Sequence, residues 1–273
     1  MQQITMITLL AALCMVNWMT GDALASEKAA SKKREISTPT EHYWVITIAG
    51  REQKDGVYTR LLSNGQKIEE GNYDQGRKDG QWLYWSKSGR KVKEENFVKG
   101  KKHGTWAQWY DNGKKESEGD YDQDRPVGTH RQWHMDGAAK SETVYRQKGN
   151  DVTALKKTWH PDGKPYTEYE MVNGKMHGRY VGWYPNGQTQ IQCVYDQGQR
   201  HGKYLEWYEN GQPKSDFTYD HGRKTGQSTQ WYDNGQMSAS GVYAEGKEGV
   251  WTTWEKSGEI RNQTTYKAGQ VVK

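Results

Sequence analysis

Five glutamates recur at a nearly fixed step along this chain: Glu70, Glu94, Glu118, Glu142 and Glu168. Two such carboxylates flanking a sugar could serve as the acid and base of glycoside hydrolysis. Neighbouring hairpins would hold them about 9–10 Å apart, at the upper edge of the separation used by inverting enzymes. The periodicity argues against that reading, because catalytic pairs break symmetry and a residue that recurs at one offset serves the repeat. Nearby Arg90, Lys114, Lys140 and Lys164 are expected to offset the row as cross-strand pairs. The histidines follow the same logic. His103, His177 and His201 each precede a glycine in a separate loop and read as solvated loop residues. His130 and His134 share a strand face but stand about 13 Å apart, too far for one metal. No G-x-S-x-G, H-E-x-x-H, C-x-x-C or P-loop pattern is present. We therefore expect a non-enzyme with no catalytic residue, no metal and no cofactor.

The elements that position these residues come from an internal repeat. If the first glycine of each copy is offset 0, offset 9 is Gly65, Gly89, Gly113, Gly137, Gly163, Gly187, Gly211, Gly235 and Gly258, mostly 24 residues apart. Offset 5 is a tryptophan column: Trp85, Trp109, Trp133, Trp159, Trp183, Trp207, Trp231 and Trp254, with Leu61 alone departing. Offset 17 is a second column: Tyr73, Phe97, Tyr121, Tyr145, Tyr195, Tyr219, Tyr243 and Tyr266, with Met171 departing. Each copy holds two short runs rich in aromatic and β-branched residues around an Asn-Gly or Asp-Gly tip, which is a β-hairpin. Pro161 and Pro185 precede two of these tips and favour a three-residue tip closed by a left-handed glycine. Offset 6 then faces offset 10, and offset 5 faces offset 11.

Simple alternation from that tip puts offsets 3, 5, 13, 15 and 17 on one face. The Trp and Tyr columns would together form the repeat core, with Gly71, Gly119 and Gly241 at offset 15 leaving room for rings. On that expectation Trp207→Ala costs about 3–5 kcal/mol. The opposite face would carry the glutamate row and a looser aromatic set. These rings are Tyr58, Trp82, Trp106, Tyr180, Tyr204 and Trp251 at offset 2, and Tyr110, Tyr184, Tyr208 and Tyr232 at offset 6. An exposed aromatic row beside carboxylates is the expected binding face. A 24-residue period with two strands leaves no room for helices. The expected fold is all-β: a single-layer antiparallel meander of about nine hairpins forming an elongated, twisted ribbon.

Composition agrees. Of 273 residues 33% are hydrophobic, and the aromatics are almost all Trp and Tyr, so burial must rest on rings with a polar atom. Residues 1–25 hold an apolar run ending in Ala23-Leu24-Ala25 and read as a secretory signal peptide cleaved near Ala25-Ser26. An uncleaved membrane anchor is the alternative. Residues 26–41 read as a polar linker with a Lys32-Lys33-Arg34 cluster. Residues 42–55 read as a capping strand, and 56–273 as the array, with a kink expected at 146–156. Removing residues 1–25 takes away Asp22 and no basic residue, so the net charge rises by one from +5. That small, interspersed charge excludes nucleic acid as the expected partner. Cys193 alone remains after cleavage, so no internal disulfide can form.

The pattern G-x-W/Y-x-x-W-Y-x-N-G, followed by an acidic residue, a Tyr and a glycine pair, resembles the MORN repeat in its bacterial variant form, across Gly56 to Lys273. The resemblance implies a binding or scaffolding array with no catalytic residues. Some such arrays are described as protein platforms, some as lipid-associated, and bacterial ones are often labelled antitoxin-like. The expected function is therefore an exported, periplasmic or secreted protein-interaction scaffold, with another protein as partner. A cell-wall glycan module is the first alternative and a membrane-surface module the second.

Overall fold

A computed structural model describes residues 33–272. The expected signal segment and residues 26–32 of the expected linker lie outside the described residues. Within them the chain forms 22 β-strands and no helix. It divides into two compact units. The first takes the chain up to Gly89 together with Phe97–Lys101; the second takes Arg90–Asn96 and Lys102 onward. In each unit strands pair antiparallel, essentially with their sequence neighbours, as an open meander. No second sheet is present among the described residues. At the expected kink, the ladder runs unbroken from Ser141↔Thr158 to Lys148↔Asp151, so the two extra residues lengthen a hairpin.

The first unit opens with β1 (Arg34–Ser37), β2 (Glu41–Ile48), β3 (Arg51–Leu61), β4 (Lys67–Asp74) and β5 (Arg77–Trp85). Residues 34–37 were expected within the linker but form a strand that pairs with β2. Ion pairs Lys33–Asp55 (3.1 Å) and Arg34–Glu52 (2.9 Å) hold this segment to β3. Among the described residues β1, not β2, is therefore the edge, and it is short and polar as edges tend to be.

Hairpin tips have the expected three-residue form. Tyr110 N–H donates to Lys114 O, and Gly113 N–H donates back to Tyr110 O, both at 2.9 Å. The nine tip glycines all lie in the left-handed region, with φ between +81° and +94°. Between hairpins the chain reverses in two residues. Gln75 (φ +47°) and Gly76 (φ +80°) bring Asp74 opposite Arg77, the two positive φ values that a type I′ turn needs.

One irregularity decides the faces. In β3–β4, Arg60 pairs with Glu69 but Leu61 pairs with Lys67, leaving Ile68 as an extra residue. The same shift between offsets 4 and 5 recurs in the later hairpins. This bulge at offset 12 moves the register of the second strand by one, and a one-residue slip exchanges faces. Offset 2 now stands opposite offset 15, as in Tyr58↔Gly71, and offset 0 opposite offset 17. The inner face therefore carries offsets 2, 4, 13, 15 and 17. The outer face carries offsets 3, 5, 11 and 14. The expected pairing of the Trp column with the Tyr column is overturned.

Candidate binding surface

The inner face is the core. Trp82 is fully buried, and Tyr58 (5% exposed), Tyr204 (8%) and Trp251 (6%) are nearly so. Trp106 and Tyr180 stand half-buried in the same row. Of the offset 2 row expected to bind a partner, four rings are thus closed to one. Two clusters show the packing: Tyr58, Trp82 and Phe97 in the first unit, and Cys193, Tyr204, Phe217 and Tyr219 in the second. Rings at offsets 2 and 17 meet edge-to-face, at 5.0 Å for Tyr73–Trp82 and 4.9 Å for Tyr243–Trp251. The expected core residues Tyr73, Tyr121, Tyr145, Tyr195, Tyr219 and Tyr243 thus do share the buried face, joined by offset 2 in place of the tryptophans. Burying one Trp here contributes up to about 4–6 kcal/mol.

Glycine at offset 15 makes the close approach. A Cβ on Gly71 would overlap the Trp82 indole, and one on Gly241 the Trp251 indole. Each indole Nε1–H donates to a carbonyl, of Asn72 and of Val242, both at 3.1 Å. His130 fills the same place over Gly119, its Nε2–H donating to Asp120 O at 2.8 Å. It is a core ring, edge-on to Tyr145 at 4.9 Å.

A cationic row covers these rings from solvent. Lys78 Nζ stands 3.8 Å from the Trp82 ring centroid, Lys224 3.5 Å from Phe217, Lys247 4.5 Å from Trp251, and the Arg200 guanidinium 4.8 Å from Tyr204. Their alkyl stems seal the face while the charges lie on the π-clouds. Burial, then the neighbouring Arg200 and Lys247, hold the Lys224 ammonium below its usual range. Burial pushes the Tyr204 hydroxyl up to about 12 and raises the Cys193 thiol, leaving that thiol unreactive. Glu95 takes the offset 15 place of glycine. Burial alone would raise its carboxyl, but Lys93 and Lys102, each 2.9 Å away, overcome this and hold it below the ordinary range.

The offset 6 tyrosines tie repeats together. Tyr110, Tyr184, Tyr208 and Tyr232 are half-buried, and each hydroxyl donates to the backbone carbonyl of the next tryptophan: Trp133, Trp207, Trp231 and Trp254, at 2.8–2.9 Å. Asn186, Asn210 and Asn234 make a parallel row of bonds to the carbonyls of Glu209, Asp233 and Lys256. Arg90, Lys114 and Lys164 reach the tip carbonyls of Asp111, Asp136 and Pro185 rather than the glutamate row.

The outer face holds the tryptophan column Trp85, Trp109, Trp133, Trp159, Trp183, Trp207, Trp231 and Trp254, each half-buried. Its early members are capped. Lys91 bonds Glu94 at 2.8 Å and stands 4.3 Å from the Trp109 centroid. Lys67–Glu70 beside Trp85 and Lys115–Glu118 beside Trp133 repeat the arrangement. Arg131 adds Glu118 and Glu142, and Lys157 adds Glu168. The glutamate row is thus spent in ion pairs. After Lys115 the pattern changes. Trp133, Trp159, Trp183, Trp207, Trp231 and Trp254 stand opposite Ala139, Pro165, Thr189, Pro213, Met237 and Ile260, with no lysine at that position. Val194, Val242 and Val250, on the same strand faces, are well exposed. The offset 11 residues are the sequence signal for this change: Lys67, Lys91 and Lys115 early, then Ala139, Pro165, Thr189, Pro213, Met237 and Ile260.

His177 and His201, expected in solvated loops, lie within the strands Lys175–Trp183 and Gln199–Trp207 with Nδ1 shielded from solvent. With His103 they pair with aspartates: His103–Asp122 at 3.3 Å, His177–Asp196 at 3.1 Å and His201–Asp220 at 3.4 Å.

Comparison with curated proteins finds no match. Solved structures of TarM and of TcdB2-TccC3 align with the chain at 15% and 12% identity. They cover 47% and 88% of it, with TM-scores of 0.19 and 0.20. The chain spans 22% and 14% of the length of those two. A family model described as the MORN repeat variant matches residues 102–123, 176–197, 200–221 and 247–268. Three of these segments begin at Lys102, Arg200 or Lys247, residues of the cationic row, and all four run through the paired aromatic columns. This is a repeat protein that carries the MORN repeat variant at those four positions.

Proposed function

We propose that this chain is a non-catalytic, exported interaction scaffold that binds another protein through the outer face of its later repeats. One observation carries the reading. Lys–Glu caps stand beside Trp85, Trp109 and Trp133, whereas Trp207, Trp231 and Trp254 stand opposite Pro213 and the exposed Met237 and Ile260, with exposed Val194, Val242 and Val250 farther along the same face. Half-buried tryptophans sharing a sheet face with exposed apolar side chains form the usual anchor of a protein interface. The tyrosines and tryptophans of offset 2 serve the fold. The tip tyrosines join repeats. The basic cluster contributes little to membrane attachment, because Lys33 and Arg34 are both ion-paired.

The test uses residues 26–273 as bait, beside a Val194→Glu, Val242→Glu, Val250→Glu variant whose changes are all exposed. An envelope protein retained by the parent chain and lost by the variant, with unchanged circular dichroism, is the expected result. Equal retention by both, or retention of the bait on protein-free cell wall or on liposomes instead, overturns it. Export is checked by intact mass. A mature chain beginning at Ser26 is expected, and retention of residues 1–25 contradicts it.

A further inference from the structure

His221 breaks the repeat. The reversal between hairpins reads Asp-Gln-Gly at 74–76 and 196–198, whereas at 220–222 it reads Asp-His-Gly. Gln75, Gln197 and His221 all sit in the left-handed region, with φ of +47°, +48° and +42°. Changing the side chain therefore does not change the turn. What it changes is the neighbourhood. His177, Asp196, His221, Asp220 and His201 form one alternating chain of imidazoles and carboxylates. The common His–Asp pair, as at His103–Asp122, holds one imidazole. Here a second is added.

The geometry converges on Asp220. Its Oδ1 lies 2.7 Å from His221 Nδ1 and 3.4 Å from His201 Nδ1. The two rings are 4.6 Å apart between centroids. One donor atom from each of His201, Asp220 and His221 falls within a sphere where all lie within 4.8 Å of one another. His201 Nδ1 is shielded from solvent and makes no hydrogen bond. The other nitrogen of His221, Nε2, lies 3.4 Å from Asp196 Oδ2.

We propose that His201, Asp220 and His221 form a binding site for a divalent transition metal of the zinc class. Two imidazoles and one carboxylate suit Zn²⁺, and three protein ligands leave a fourth position for water. Both histidines ligate through Nδ1. Asp196 then accepts from His221 Nε2–H and fixes the tautomer and ring orientation, as carboxylates do behind ligating histidines. The ion ties the start of the strand Gln199–Trp207 to the turn at His221 and stabilises the repeats on either side by mass action. A cavity lined by Asp220, Arg223, Lys224 and Tyr243 opens beside Asp220; the role proposed for the ion is that of a clip.

The experiment is calorimetric titration of residues 26–273 with ZnCl₂, with melting followed in parallel and Co²⁺ absorption read as a probe of coordination. One equivalent of Zn²⁺ is expected to bind and raise the melting temperature, and the Co²⁺ spectrum should lack thiolate charge transfer. His221→Gln installs the residue found in the sister turn, so the fold is kept. It should weaken binding by at least about tenfold, the lower range for losing even an outer partner of a metal ligand. Asp196→Asn should weaken it by about 10–100-fold. His103→Gln should leave binding unchanged. Absence of Zn²⁺ binding by the parent chain, full binding by His221→Gln, or loss in His103→Gln overturns the site.

Discussion

The two faces of each hairpin are built from the same residue type and use it in opposite ways. Trp82 and Trp85 lie three residues apart on β5. Trp82 is fully buried over Gly71, bonded through Nε1 and covered by Lys78. Trp85 is half-buried on the other side, beside Lys67 and Glu70. Trp251 and Trp254 repeat the contrast on the strand Lys247–Trp254. In an open sheet neither face has a second layer to close it. The inner face closes itself, by pressing rings onto glycine and laying cations over them. The outer face closes partly, by Lys–Glu pairs, and less so after Glu168. Burial in this architecture is decided by what stands opposite and above a ring, and residue type alone does not predict it.

The sharpest way to break the comparison is at Trp82. Trp82→Ala should cost about 3–5 kcal/mol of unfolding free energy, the range for large buried aromatics, read by urea titration. A loss as small as that of an exposed substitution would contradict an inner core. Next is Gly241→Ala. The added methyl overlaps the Trp251 ring and should cost about 1–3 kcal/mol as overpacking. The same change at Gly80, where nothing lies within 4 Å but φ is +70°, separates crowding from backbone strain.

Much of this organisation was legible in advance. The 24-residue period, the three-residue tips and the pairing of offset 5 with offset 11 all follow from glycine and proline placement. So does the space that Gly71, Gly119 and Gly241 leave for rings. What alternation alone missed was the bulge at offset 12, because an extra residue changes the register without leaving any required residue type at Ile68. The signal was present in another form. Gly71 and Gly119 leave room for a ring over them, and Trp82 and His130 come at offset 2 of the next copy, on the strand that follows each glycine. Lysine and glutamate at offsets 11 and 14 likewise mark the outer face. The metal clip was hidden for a different reason. His201 and His221 are 20 residues apart in sequence, and the hairpin between them is what brings their rings together.

Smaller effects sharpen the comparison further. Glu95 is the buried charge of the inner face. Its carboxyl is held below its ordinary range when folded, so its stabilisation is complete above that range and is lost as pH falls through the depressed value. Glu95→Gln should remove about 1–3 kcal/mol at neutral pH. It should also flatten the acid limb of a stability–pH profile, and an unchanged limb would remove the ion pairs from the account. Smallest is Tyr208→Phe, which deletes one hydroxyl bond to Trp231 O. About 0.5–1.5 kcal/mol is expected, with partner capture unchanged. Loss of capture there would return the tip tyrosines to the binding surface.

The most direct test of the two-face account is the matched pair Trp251→Ala and Trp254→Ala, compared by equilibrium denaturation in the full mature chain. These residues share type, strand and repeat, and differ in face. The account predicts that Trp251→Ala loses several kcal/mol, about 3–5, while Trp254→Ala loses clearly less. Equal losses, or a larger loss at Trp254, would contradict it.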